Sequence, residues 1–256
     1  MIGPRDLFDL GGSVALVTGG SSGLGRRIGF ALARAGAAVV LLARRADKLE
    51  AARDEITEAG GRAACMAADI EDTAALEGIA ATVGQAFGAP DILVNAAGVN
   101  LREPASDVTI DSWNRTLALN LGAPFFLSRA LVPGMRQKGR GKIVNIASLQ
   151  SCRAFANGIA YGASKGGIVQ LTRAMAEAWS RFGITCNALA PGFFPTELTA
   201  PLYGDEAMLQ RLAAQTAIGR NGELGDIDGP AIFLAAPASD YITGQVIFVD
   251  GGFTAK

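Results

Sequence analysis

With 256 residues, half of them hydrophobic, the chain is long enough for one large α/β domain with a substantial core, and no break in composition marks a second domain. Only 18% of the residues are charged and the formal net charge is −1, so neither a nucleic-acid footprint nor a disordered tail is indicated. There is no histidine, which excludes Ser-His-Asp catalysis and histidine-ligated metals. The cysteines Cys65, Cys152 and Cys186 are odd in number and far apart, as suits free thiols in a reducing compartment rather than a disulfide frame or a zinc site.

At the N-terminus Arg5, Asp6 and Asp9 precede any apolar run, which is unlike a secretory signal, and the longest apolar stretches, such as Ala35 to Ala43, fall well short of the ~20 residues a membrane helix needs. A soluble cytoplasmic protein is expected, with neither nucleic acid nor membrane as partner and with no metal. Val14 to Val17 is a β-branched apolar run, and it leads through TGGSSGLG, Thr18 to Gly25, into a helical stretch ending near Ala35. Strand, glycine-rich turn and helix form a phosphate cradle. Gly19, Gly23 and Gly25 let the backbone turn sharply and let a pyrophosphate approach the helix start, where free N–H groups and the helix dipole favour anions.

Val39 to Leu42 reads as the second strand, and the residues after it, Ala43, Arg44 and Arg45, include no acid. A carboxylate in this position would hold the ribose 2′-hydroxyl of NAD, whereas a guanidinium grips a 2′-phosphate. NADP(H) is therefore preferred, with Arg44 the leading contact and Arg45 the second, and NAD(H) stays possible; the alternative is that both arginines only open the next helix in solvent. Arg62 to Ala68 gives a third strand ending at Asp69, and Asp91 to Asn95 a fourth, followed by NAAG, Asn95 to Gly98. A helical pattern from Ile110 to Ala130 carries Asn120.

The apolar run Ile143, Val144 and Ile146 predicts a buried strand that ends near Ser148, and a helix beginning near Asn157 carries Tyr161 and Lys165. Four residues apart, these two share one helix face. A phenol ordinarily loses its proton near pH ~10, and a nearby ammonium can lower that by roughly 1 to 3 units, so the pair is expected to exchange protons near neutral pH. A sixth strand, Ile184 to Ala190, leads into PGFFPTEL, Pro191 to Leu198, and a last strand lies within YITGQVIFVDGG, Tyr241 to Gly252. Seven strands alternating with helices, rich in Val, Ile, Leu and Ala, predict an α/β fold: a three-layer doubly wound Rossmann fold with a seven-stranded parallel sheet. Two strings, Gly19-x-Ser21-x-Gly23 and Gly162-x-Ser164-x-Gly166, match a hydrolase nucleophile elbow, but without a histidine neither serine has its base.

The motif TGGSSGLG in the form T-G-x-x-x-G-x-G, the NAAG turn, Ser148 placed 13 residues before Tyr161-x-x-x-Lys165, the Pro-Gly turn with Thr196, and the closing strand occur in order along the chain. Together they resemble the short-chain dehydrogenase/reductase family over essentially its whole length. The resemblance implies that Tyr161 gives or takes the hydroxyl proton and Ser148 holds the substrate oxygen. Lys165 would lower the Tyr161 pKa and bind the nicotinamide ribose, while Asn120 would hold a water that relays protons from Lys165 to solvent. It implies cofactor contacts at Gly19, Ser21, Ser22, Gly23, Leu24 and Gly25 in the glycine turn and at Asp69 with Ile70 around the adenine. Further contacts would come from Asn95, Ala97 and Gly98 in the NAAG turn, and from Pro191, Gly192, Phe194 and Thr196 beside the nicotinamide. Where the family has NNAG, Ala96 replaces the second Asn and removes one side-chain hydrogen bond while keeping the small residues.

IASLQS, Ile146 to Ser151, and APGFFPTELTAPL, Ala190 to Leu202, look like the gluconate 5-dehydrogenase branch of that family. A sugar acid needs a cation for its carboxylate, and Arg102 and Arg153, on loops flanking Ser148 and Tyr161, are candidates, or else solvated surface arginines. The segment near 193–217 is the expected substrate lid of a single domain spanning 1–256. A 3-oxoacyl-[acyl-carrier-protein] reductase is the alternative activity, and a non-catalytic dinucleotide-binding protein a more distant one. In relatives the closing-strand region also joins subunits, which implies a homo-oligomer here, expected to be a tetramer.

Overall fold

Five of the seven strands are buried along nearly their whole length, which is why the sequence shows continuous apolar runs there instead of alternation. The computed structural model describes Gly3 and residues 6–256; Arg5, used above to read the N-terminus, lies outside the described residues. The strands are β1 (Val14–Thr18), β2 (Ala38–Ala43), β3 (Arg62–Ala67), β4 (Ile92–Asn95), β5 (Gly141–Ile146), β6 (Ile184–Pro191) and β7 (Val246–Val249). All pair in parallel, in the order β3-β2-β1-β4-β5-β6-β7. The partly exposed strands, β3 and β7, are the two edges.

Helices cover both faces. On one side, α1 (Gly23–Arg34), α2 (Ala46–Glu58) and, near the C-terminus, a short helix at Asp228–Ala235 press Ile28, Leu32, Leu49, Ile56 and Leu234 onto Val17, Val39 and Leu41. On the other, α3 (Leu76–Phe87), α4 (Ile110–Leu117), α5 (Ala123–Lys138) and α6 (Ile159–Trp179) cover the sheet, with Leu76, Leu127, Met135 and Met175 packed on Leu16, Leu93 and Ile143. Successive strands run outward from β1 to β3, and the chain then crosses back to β4 on the other side of β1. That reversal opens a crevice beyond the carboxyl ends of β1 and β4, the place where such sheets take ligands.

Three details differ from the pattern read in the sequence. The helix read as Ile110 to Ala130 is α4, a π turn at Ala118–Gly122 and then α5, which passes through Pro133 and runs on to Lys138. Burial of Leu131 and Met135 on either side of Pro133 holds that helix although the proline lacks an N–H. α6 starts at Ile159, not Asn157, because Asn157 takes a left-handed φ of 58° that ends the preceding loop. Between β6 and β7 the chain forms two short helices, α7 (Ala200–Tyr203) and α8 (Glu206–Gln215), and the Asp228–Ala235 helix is α9. Among the described residues, no helix is long and apolar enough to cross a membrane, and no group of three or more His, Cys, Asp or Glu could hold a metal ion.

Candidate active site

The crevice is built by backbone closeness. Thr18, at the end of β1 and 1% exposed, accepts at its Oγ1 the N–H groups of Ala96 (3.0 Å) and Ala97 (3.1 Å), which draws the NAAG turn against the glycine loop. Gly19 has a φ of 68°, and a Cβ there would lie 2.9 Å from the Ala97 nitrogen, so the close approach requires glycine at this point. Gly25 is equally constrained: its Cβ would lie 2.4 Å from the carbonyl of Gly19. Ser22 precedes α1 without capping it through its side chain, so the first N–H groups of that helix are left for an anion.

Asn95 proves to be framework. Its Nδ2 donates to Asn145 Oδ1 (2.9 Å), and Asn145 Nδ2 donates to Thr172 Oγ1 (2.9 Å), a buried ladder from β4 through β5 to α6. With its amide committed to β5, the contact expected of Asn95 with cofactor falls to its backbone. Ile70 and Phe194 are alike in this, and the contacts expected of them also fall to the backbone. Ile70 is 5% exposed within the core cluster of Leu16 and Leu42, and Phe194 is 2% exposed with its ring against Gly222, so both side chains serve packing. Leu24 likewise packs on the α1-side core, while Ser21 is buried in the glycine loop.

Ser148 follows β5 and opens a single 3-10 turn, Leu149–Ser151. Its Oγ accepts from Gln150 N (3.1 Å), its N–H donates to Ser151 Oγ (3.2 Å), and the Ser151 hydroxyl donates to the Lys165 carbonyl (2.6 Å). The serine is thus fixed to the helix carrying the other two groups. Tyr161 is half-buried as a whole, but its hydroxyl lies among protein atoms, and this desolvation pushes the phenol pKa up; a hydrogen bond with Ser148 and the charge of Arg102 pull the other way. Lys165 is 5% exposed, and burial lowers its pKa to about 8. Its Nζ donates to the Ile146 carbonyl (2.6 Å) and sits 5.6 Å from the Tyr161 ring centre.

The expected proton economy is therefore extended in one respect. Lys165 spends one donor on the strand backbone while staying over the Tyr161 ring, and the charge of Arg102 also favours the phenolate. Asn120 lies in the π turn and is 1% exposed; its amide exchanges hydrogen bonds with the Val99 backbone (2.8 and 2.9 Å) and donates to Ser164 Oγ (3.0 Å). A Cβ on Gly98 would come within 3.1 Å of Asn120 Oδ1 and 3.8 Å of Lys165 Nζ, so NAAG, Asn120 and Lys165 converge.

The arginines separate. Arg102 adopts a left-handed φ of 56° and donates from Nη2 to the Leu198 carbonyl (3.1 Å), next to Tyr161. Arg153 is exposed and lies over the Phe253 ring, 6.0 Å from its centre, in an aromatic group with Phe155 and Phe193. Of the two, only Arg102 acts on the phenol, through its charge. At the adenosine end the two arginines part: Arg44 points to Asp69 (3.6 Å), the acid expected at the adenine, while Arg45 reaches Ser22 Oγ (3.0 Å) and Ser21 Oγ (3.4 Å) in the glycine loop. Glu197 joins this group, accepting from Arg45 (2.7 Å), Lys48 (2.6 Å) and Ser22 (3.1 Å), and these bonds hold its carboxyl at a pKa of about 2.

Lys48 and Glu197 were not picked out from the sequence. Lys48 stands one helical turn past Arg45, a spacing that could have shown it; Glu197 comes from 152 residues beyond Arg45, and nothing local signals the pairing. Thr196 packs over the loop start, its Cβ 3.2 Å from where a Cβ on Gly23 would be. Gly192, after β6, donates its N–H to Val249 (2.9 Å) and would strike Asp250 Cα at 2.9 Å if it carried a Cβ, which places the Pro191–Gly192 turn close against the end of β7. An uncapped helix start, glycines that no side chain could replace, and a pair of cations already gripping a carboxylate fit a dinucleotide with a further phosphate on its adenosine ribose.

A family model described as enoyl-(acyl carrier protein) reductase matches residues 19–254. The chain is similar to the gluconate 5-dehydrogenase of Gluconobacter oxydans (strain 621H), with 41% identity over 252 residues, 98% of each chain. Among solved structures it resembles a gluconate 5-dehydrogenase from Burkholderia cenocepacia J2315 in complex with NADP and tartrate: TM-score 0.95, 38% identity, covering 99% of this chain and 100% of that one. A 3-oxoacyl (acyl-carrier-protein) reductase from Agrobacterium tumefaciens C58 with NADP bound is similar at TM-score 0.92 and 30% identity, covering 98% and 97%.

Proposed function

The chain belongs to the short-chain dehydrogenase/reductase family, and from that premise we propose that it interconverts a secondary alcohol and a ketone on a sugar acid, using NADP(H) in preference to NAD(H). The observation that carries this reading is the meeting of Ser148 and Tyr161 beside a buried Lys165 whose Nζ lies over the Tyr161 ring, with the charge of Arg102 felt at the phenol. A bound nicotinamide supplies or accepts the hydride. Gly19, Gly23, Gly25 and the α1 N–H groups would hold the pyrophosphate, Arg45 and Lys48 the 2′-phosphate, and Asp69 the adenine.

In the reducing direction, the substrate oxygen lies between Ser148 Oγ and the Tyr161 hydroxyl. Ser148 Oγ accepts from Gln150 N, and its own proton, turned to Tyr161 in the free protein, is donated to the substrate oxygen as negative charge develops there. Tyr161, kept protonated at neutral pH by burial, gives up its proton as the hydride reaches carbon. Arg102 then stabilises the phenolate and offers a donor face to the substrate carboxylate. Lys165, with its pKa near 8, exchanges a proton with solvent within the working range. The Asn120 side chain is taken up by Val99 and Ser164, which fixes the π turn beside Lys165.

The segment 193–217 acts as the lid over this point of a single 1–256 domain, tethered by the bond from Arg102 to Leu198. The protein works in the cytoplasm as a homotetramer; support comes from the edge position of β7 and the exposed rings of Phe248 and Tyr241 near it. Light scattering at micromolar concentration checks the subunit number. The decisive experiment follows NADPH oxidation with 5-ketogluconate and with an acetoacetyl thioester, NADH serving as control cofactor. Turnover of the keto acid supports the reading. Turnover of the thioester alone transfers the site to 3-oxoacyl reduction, and turnover of neither removes both.

A further inference from the structure

The first residues after the β6 turn lie across three parts of the cofactor crevice at once. Thr196 packs on Gly23 of the glycine loop, Glu197 bonds to the cations after β2, and Leu198 accepts from Arg102 in the loop after β4. Glu197 uses both carboxylate oxygens. Oε1 accepts from Arg45 Nη1 (3.1 Å) and Lys48 Nζ (2.6 Å), and Oε2 from Arg45 Nη2 (2.7 Å) and Ser22 Oγ (3.1 Å). A forked arginine, a lysine and a serine hydroxyl beside a glycine loop are the donors that an alkyl phosphate would recruit, and here a carboxylate of the same chain has them. With a pKa of about 2, that carboxylate stays charged at every pH at which the protein works.

We infer that Glu197 determines cofactor preference by competing with the 2′-phosphate for Arg45, Lys48 and Ser22, an inference that rests on the NADP reading above. The 2′-phosphate, with more charge than the carboxylate, displaces Glu197 and in doing so frees residues 196–198 from the glycine loop. A ribose with only a 2′-hydroxyl leaves the pairs intact. Discrimination between the two cofactors is therefore smaller than Arg45 and Lys48 alone would give, because part of the phosphate's binding energy goes into breaking the Glu197 pairs. The same exchange ties the position of the lid's first turn to the identity of the cofactor.

The test uses adenosine 2′,5′-bisphosphate and adenosine 5′-monophosphate as probes in calorimetric titrations of the wild type, Glu197→Gln, Arg45→Ala and the double variant. Glu197 is half-exposed, and Gln keeps its shape and one acceptor oxygen while removing its charge and the second acceptor. In Glu197→Gln the bisphosphate binds about three- to ten-fold tighter relative to the monophosphate than in the wild type, the size expected for freeing a surface ion-pair network. In the Arg45→Ala background that gain falls by at least half. A ratio that is unchanged or smaller in Glu197→Gln overturns the inference. A wild type that binds the two probes alike removes the NADP reading, and the inference then survives only if Glu197→Gln creates the discrimination and falls if it does not.

Discussion

Lys165→Met isolates what the fold gives up to hold an ammonium beneath the phenol. A lysine in water keeps its proton to about pH 10.5, whereas burial brings Lys165 down to about 8, so holding the charge at neutral pH costs about 3 kcal/mol. The same ammonium satisfies the Ile146 carbonyl, and removing it leaves that acceptor unpaired at a cost of about 1 to 3 kcal/mol. At pH 7 the two effects nearly offset, and the variant is between equal to the wild type and about 2 kcal/mol more stable. The sign then changes with pH. Below pH 8 the lysine is protonated both folded and unfolded, and the difference is flat. Between about 8 and 10.5 the folded protein releases the proton while the unfolded chain keeps it, so wild-type stability rises with pH. By pH 10.5 the wild type is the more stable by about 1 to 3 kcal/mol. Thermal melts of both proteins at pH 7, 8, 9 and 10, at one protein concentration, read this as a relative swing of about 6 to 12 °C. Because every other titrating group is shared, the difference at each pH reports Lys165. A difference in Tm that stays constant from pH 7 to 10 refutes the reasoning.

Arg102→Gln removes a cation that favours the phenolate, so the alkaline limb governing alcohol oxidation moves to higher pH while the KM of a keto acid rises; a pH profile that does not move rejects the placement of Arg102 at Tyr161. Arg45→Ala weakens NADPH at least ten-fold more than NADH, the loss of a forked phosphate contact, whereas Arg44→Ala changes the two about equally; fluorescence titration checks both, and the opposite order would restore Arg44 as the main contact. Gly19→Ala puts a methyl 2.9 Å from the Ala97 nitrogen at a φ of 68°, and costs about 1 to 3 kcal/mol together with most of the NADPH affinity; wild-type urea midpoints in that variant would show that the two loops are not in contact.

The parts of the molecule legible in sequence are those fixed by local constraint. Val14–Thr18 and Ile184–Pro191 are buried on both faces, and their unbroken apolar runs say so without any partner in view. Gly19 and Gly25 are glycine because the backbone there allows nothing else, and Tyr161 with Lys165 share a face by helical period alone. What escaped depends on facing and distance. Arg44 and Arg45 follow the end of β2, where neighbouring side chains point to opposite sides, and only the packed sheet decides which one meets the glycine loop. Glu197 reaches that loop from the far end of β6, and Phe194, inside a motif that looks functional, turns its ring into the core. The balance of effects on the phenol escaped for a related reason. Desolvation is set by everything around Tyr161, and the i, i+4 spacing to Lys165 says nothing about where Nζ points once Ile146 offers it a carbonyl.

The ladder from Asn95 through Asn145 to Thr172 also bears on how the sheet assembles. Asn95 and Asn145 stand opposite each other in the β4–β5 register, and Asn145 is fully buried. Parallel strands must find each other across long intervening chain and do so slowly, with apolar surfaces that would fit nearly as well one step out of line. A slip of one residue here would bury two amides with no partner, at about 1 to 3 kcal/mol apiece. The misaligned sheet is thereby made costly before the site exists, and the two strand ends that carry NAAG and Ser148 arrive level with each other.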